Sequence, residues 1–338
     1  MNKPSVVFVN NLKFVLICFV VVANSIEPLI GKSVGLHMLY QGIYTFHIPM
    51  FVFAMGLLAK EFKLEHRGLR VLTIIAWQYV LFQTAYSLLD TTYFHAPNVV
   101  YSFFMPYSLL WFLCSHFCWR ILLVPFLRLK HPLLPAILLG IAVGYMPWSG
   151  AILSLSRTFV YFPFFLAGYY CRIDRKLFVR LRKWRLFSTA LAALWFLALA
   201  IFRSWLPSPW LYGNATYLEM GVSQWYSGLY RLALYSVQAV VSIAFLSWIP
   251  WTLKSWTGWG KRTVYVFLLH GLLLKTIIAS GFYQGLETPL HMSLAFLLAA
   301  ALIILLSIGK VERFTRPMFE PSLRLPKGLR MHGKSVWK

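Results

Sequence analysis

Apolar stretches long enough to cross a bilayer recur along the whole chain, parted by short polar breaks. A helix crossing hydrocarbon needs about 20 apolar residues, and helices satisfy their own backbone hydrogen bonds there. Ten runs fit: 9–30, 38–58, 70–90, 107–127, 133–148, 158–171, 186–203, 226–250, 263–283 and 289–309, the fifth and sixth being shortest. The pattern predicts an all-α polytopic membrane protein of about ten transmembrane helices. One multi-span domain occupies 1–310, and a loosely structured basic tail with Pro317, Pro321 and Pro326 occupies 311–338. The first run is longer than a secretory signal, holds a polar residue and precedes no small-residue cleavage pattern, so it reads as a span. No internal repeat at transporter scale is evident.

Composition agrees: 59% of the 338 residues are hydrophobic and 12% charged, about half the charged share of a soluble domain. The net charge of +23 comes from basic residues that cluster in alternate connections. They follow runs 2, 4, 6 and 8 and fill both termini; of 32, the exceptions are Lys32, Arg157, Arg203, Arg231 and Lys275. That alternation predicts both termini on the cytoplasmic side of the cell membrane. It makes membrane lipids, not nucleic acid, the partner of the charge. The densest run, 172–185, reads as an amphipathic segment on the inner surface. The opposite connections, 91–106, 204–225 and 284–288, carry Asn98, Glu219 and Glu287 among aromatics. Trp205, Trp210, Tyr212, Tyr217, Trp225 and Tyr226 read as an interfacial belt, or as platforms for sugar rings. Asn214-Ala-Thr216 fits a glycosylation sequon, which matters only in a eukaryotic secretory pathway. Cys18, Cys114, Cys118 and Cys171 show neither disulfide-framework nor metal-site spacing and read as packing residues.

Polar groups inside the apolar runs are the candidate chemistry, because side chains at such depth are costly and mark pathways or reaction sites. Asn24 lies on the first run, eleven residues after Lys13. His47, followed by Pro49, lies on the second, about 13 Å deep by helical rise. Arg67 and Arg70 stand three apart at the mouth of the third; that spacing puts both on one helix face, where guanidinium groups grip phosphate. A basic turn, Gly258-x-Gly260-Lys-Arg-Thr, leads into the ninth, which carries His270. Each has a structural alternative: Arg67 and Arg70 as topology charges, Lys13 snorkelling to the interface, and the histidines and Asn24 bonded to neighbouring helices. His116, in mid-span, reads as structural. No catalytic-triad order, Walker loop or dinucleotide fingerprint appears.

At these residues the chain resembles the integral-membrane acyltransferase 3 family, in its fucose 4-O-acetylase-like branch. The points of match are Lys13-x10-Asn24 with Ile26-Glu27-Pro28, FHIPMFVFAMG at 46–56, RGLR at 67–70, PYSLLWFLCSHFCW at 106–119, SLSRTFVYFPFFLAGYY at 154–170 and GKRTVYVFLLHG at 260–271. The resemblance implies transfer of an acyl group, usually acetyl from acetyl-CoA, to a hydroxyl of a cell-envelope saccharide or glycan. It associates Lys13, Arg67 and Arg70 with the donor's phosphates. Relatives carry a histidine where this chain has Asn24. An amide accepts no proton near neutral pH but can donate to an oxyanion. His47 is then the base, with His270 orienting or polarising. The alternative is a catalytically degenerate relative that binds or exports an envelope intermediate; a transporter unrelated to acyl transfer is a third reading.

Overall fold

The structure, a computed structural model, describes residues 3–94, 99, 101–147, 150, 152–201 and 206–321. Asn98, Arg203, Trp205 and the tail over 322–338 lie outside the described residues. Among the described residues the regular structure is all helical: α1 (Lys3–Ile26), α2 (Val34–Leu58), α3 (His66–Thr92), α4 (Trp111–Phe126), α5 (Leu133–Ala142), α6 (Leu155–Tyr170), α7 (Arg175–Ile201), α8 (Ser208–Tyr212), α9 (Ser227–Trp248), α10 (Thr263–Ala279), α11 (Pro289–Ser307) and α12 (Gly309–Phe319). Among the described residues, eight helices are long and apolar enough to cross a membrane, while α5 and α10 are shorter apolar helices. Polar caps set several starts. Ser33 accepts from the Leu36 amide (3.4 Å) at α2, and Thr288 accepts from the His291 amide (3.2 Å) at α11, ahead of Pro289. Such caps satisfy donors that a helix start leaves unpaired.

Three expectations are corrected. The basic stretch 172–185 is not a separate surface segment. From Arg175 onward it is the first part of α7, which runs unbroken for 27 residues, because no glycine or proline interrupts it and length suffices to carry it from interface to interface. The start of the tail is not loose either. Arg262 donates to Glu312 (2.8 Å) and to the Ser307 carbonyl (3.0 Å). Trp77 and Gln78 of α3 donate to the Met318 and Phe319 carbonyls (2.7 and 3.1 Å), and Phe319 is buried between Phe82 and Tyr265. Third, two of the aromatics expected in an interfacial belt, Trp210 and Tyr217, lie in the protein interior. Trp210 and Tyr217 are buried and stacked at 5.4 Å, with Tyr217 donating through its amide to the Gly144 carbonyl. The buried Arg231, one of the outlying cations, donates to the Trp210 carbonyl (2.8 Å). Trp225 and Tyr226 alone of that described set are exposed. The four cysteines are free.

Helix α2, which carries His47, packs against α1, α6 and α9. Its backbone touches that of α6: a Cβ on Gly56 would lie 2.0 Å from the Phe165 carbonyl oxygen, and one on Gly168 2.0 Å from that of Phe53. Small residues permit such close approach between membrane helices. The basic turn before α10 docks on α1. Gly260 lies against the Asn10 carbonyl, and Phe14 packs against Trp256 and Trp259 at 5.3 and 5.4 Å. Asn11, fully buried, is the clasp: its Nδ2 donates to the carbonyls of Pro250 (2.9 Å) and Thr252 (3.0 Å), and its Oδ1 accepts from the Thr257 hydroxyl (2.7 Å). Asn11→Ala removes three bonds and leaves their partners unpaired, so it destabilises the fold by about 2–4 kcal/mol. A thermal unfolding series in detergent checks this.

Candidate functional site

The residues singled out on α1 and α2 meet at one place. Asn24 and His47, both buried, line a single cavity of about 50 Å³ with Tyr44, Trp111, Phe112 and Phe267, enough for a few waters. His47 is held by its own helix: Nδ1 lies 2.8 Å from the Ile43 carbonyl. A carbonyl only accepts, so Nδ1 carries the hydrogen of the neutral ring and Nε2 the lone pair. Tyr44 packs edge-on to the imidazole, with ring centroids 4.5 Å apart. Asn24 Nδ2 donates to the Val20 carbonyl (2.8 Å), which leaves the second amide hydrogen available.

Asn24 and Leu109 also line a wider vestibule of about 300 Å³, with Glu27, Tyr86, Tyr107 and Lys275. Its rim residues Glu27, Ser108 and Ile278 are exposed. Lys275 pairs with the buried Asp90 and lies 4.6 Å above the Tyr107 ring. Beside the inner cavity, Tyr40, Tyr44 and Tyr212 pack together, at 4.3 Å for the first pair and 4.9 Å for the second. Burial raises the Tyr212 phenol above its ordinary pKa, so it stays a hydrogen-bond donor at neutral pH. Arg157 adjoins this cluster electrostatically and its guanidinium stacks over Trp111 at 4.8 Å. The sequence pattern singled out none of Tyr44, Trp111, Asp90 and Lys275. Their signal was present in the outlying cations and in Tyr44 one helical turn before His47.

The other predicted residues are not brought to this cavity. His270 is buried, with Nδ1 2.9 Å from the Val266 carbonyl and Nε2 without a hydrogen-bond partner. Its neighbours Phe267 and Gly271 line the inner cavity and the vestibule, but the imidazole lines neither. A third cavity, about 30 Å³, shares Phe51, Phe112 and Phe267 with the first and reaches His116 and Thr263. There Arg120 Nε donates to His116 Nε2 (3.0 Å), which occupies that lone pair and fits a structural role. Lys13 is buried on α1, within electrostatic reach of Lys261. Arg67 is exposed and Arg70 half-buried, its Nε unbonded. None of the cavities just described includes Lys13, Arg67 or Arg70. The rings that the first and third cavities share pack together: Phe112 lies 5.5 Å from both Phe51 and Phe267. Among the described residues no group of three or more His, Cys, Asp or Glu is placed to hold a metal. Comparison with protein families, with curated proteins and with solved structures returns no match.

Proposed function

We propose that the protein is a membrane O-acyltransferase that moves an acyl group, acetyl from acetyl-CoA, to a hydroxyl of a cell-envelope saccharide. The observation that supports this reading is the shared cavity of Asn24 and His47, which has Asn24 and Leu109 in common with an aromatic vestibule. The vestibule suits a sugar: Tyr86 and Tyr107 stack at 5.3 Å beside the Lys275–Asp90 pair. In the reaction, His47 Nε2 takes the hydroxyl proton as the acceptor oxygen bonds to the acyl carbon. The second hydrogen of Asn24 Nδ2 stabilises the tetrahedral oxyanion. As that intermediate collapses, the carbon–sulfur bond breaks, and imidazolium returns its proton to the departing thiolate. Ester and free thiol result. Both termini lie in the cytoplasm on this reading, with donor entry at the basic end.

The cavity lined by His47 does not reach Lys13, Arg67 or Arg70, so entry of the thioester requires side chains to move. That separation, with Asn24, favours a second reading: a non-catalytic relative that binds or exports an envelope intermediate.

The test is transfer of label from radiolabelled acetyl-CoA to envelope saccharide by purified full-length protein in nanodiscs. The proposal expects label in saccharide from wild type. Silence from wild type with activity from Asn24→His assigns a retired enzyme, and silence from both assigns binding or export.

A further inference from the structure

A separate cavity, of about 310 Å³, lies between α7 and the end of α9, away from the site just described. Two guanidinium groups, Arg182 and Arg185, line it with Trp248, Trp251 and Phe178. The arginines stand three apart on α7, so one helix face presents both. Trp248 is fixed as a floor: its Nε1 donates to the Thr189 hydroxyl (3.0 Å), which donates to the Arg185 carbonyl (2.7 Å). The Arg185 guanidinium lies over that indole, 3.3 Å from the ring centroid, and its buried Nε has no hydrogen-bond partner. Trp251 is wedged between Phe8 of α1 and Phe178 of α7, at 4.3 and 5.3 Å. No aspartate or glutamate lines the cavity, and no ion pair among the described residues uses either arginine.

Two guanidinium groups with no carboxylate to neutralise them, beside a half-exposed indole, make a receptor for phosphate, which they can hold through several charge-assisted bonds. The carbonyl end of α9 nearby carries partial negative charge, which is weaker than the two full charges of the arginines. Surroundings indicate which phosphate. Leu186, one turn beyond Arg182, is 79% exposed, and Phe187 and Trp184 are exposed beside it. An apolar flank next to a basic pocket is how helix bundles receive an anionic phospholipid, headgroup inward and chains along the helices. We infer that Arg182, Arg185 and Trp248 form a phosphate-binding site at the α7–α9 mouth, occupied by the headgroup of an anionic phospholipid. This stands apart from the acyl-transfer reading.

The experiment is native mass spectrometry of full-length protein in neutral detergent, titrated with phosphatidylglycerol or phosphatidylcholine, and separately with inorganic pyrophosphate. Wild type should retain phosphatidylglycerol over phosphatidylcholine. R182Q/R185Q should weaken that retention about 30-fold, from roughly fivefold per basic residue, and R182K/R185K should recover much of it. K176Q/R180Q, on the same basic stretch but outside the cavity, should retain lipid as wild type does. If pyrophosphate binds with the same dependence on Arg182 and Arg185 and phosphatidylglycerol does not, the phosphate site stands and its lipid occupant is overturned. Equal loss in both glutamine pairs, or no loss in R182Q/R185Q, overturns the site itself.

Discussion

His47→Gln lowers acyl transfer by about 10²–10⁴-fold, the contribution of a positioned general base. Glutamine is chosen over alanine because it occupies most of the imidazole's volume and leaves the Tyr44 contact packed, yet has no lone pair basic enough to take a proton. The imidazole is held by its own helix. With Nδ1 turned onto the Ile43 carbonyl, the unprotonated nitrogen is the other one, on a ring that lines the cavity shared with Asn24. Asn24→Ala should cost less, about 10²–10³-fold, as for loss of one oxyanion donor. Initial rates for both variants, beside melting temperatures within a few degrees of wild type, make the check. A His47→Gln protein that transfers at the wild-type rate rules out His47 as the base.

Most of the spans were legible because bilayer thickness imposes a length on apolar runs: of the ten runs, eight form helices long and apolar enough to cross, while those of α5 and α10 fall short. The ends of the spans were not legible. Helix α7 begins at Arg175 rather than 186, since hydropathy marks where hydrocarbon stops while the helix continues through charged residues. α12 was missed for a related reason. Its helix is held by Arg262, Trp77 and Gln78, residues far away in sequence, and Pro317 near its end looked like a breaker.

The candidate site divides similarly. Depth of Asn24 and His47 in their runs could be counted along the chain. That the two share a cavity depends on how α1 and α2 are rotated, which periodicity does not fix when, as in α2, almost every face is apolar. The Arg67–Arg70 spacing falls within helix α3, but did not show that Arg67 would lie exposed and Arg70 half-buried, neither of them lining the cavity. Lys275 and Asp90 lie 185 positions apart and pair only once α3 and α10 are in place.

The close crossing of α2 and α6 yields the largest expected effect on the fold. Gly168→Ala puts a methyl 2.0 Å from the Phe53 carbonyl oxygen and 2.8 Å from its carbon. Those atoms belong to a helix backbone, so no side chain can move to make room; the two helices must part. Overpacking costs about 1–3 kcal/mol where side chains adjust, and a backbone obstacle puts this variant at or above about 3 kcal/mol. The same separation would admit a methyl at Gly56, which faces the Phe165 carbonyl at 2.0 Å from the other side of the crossing. Gly56→Ala with Gly168→Ala should therefore cost less than the sum of the two single changes, the coupling expected of residues sharing one displacement. Gly285→Ala, with no atom within 4 Å of its added carbon, should stay within about 0.5 kcal/mol of wild type. Thermal unfolding of the four variants in one detergent separates the outcomes. Strict additivity would mean that each methyl is accommodated locally. A Gly168→Ala protein as stable as Gly285→Ala would mean that α2 and α6 are not in backbone contact. In that case the helix carrying His47 would be free to sit at another rotation, and the cavity it shares with Asn24 would lose its geometric basis.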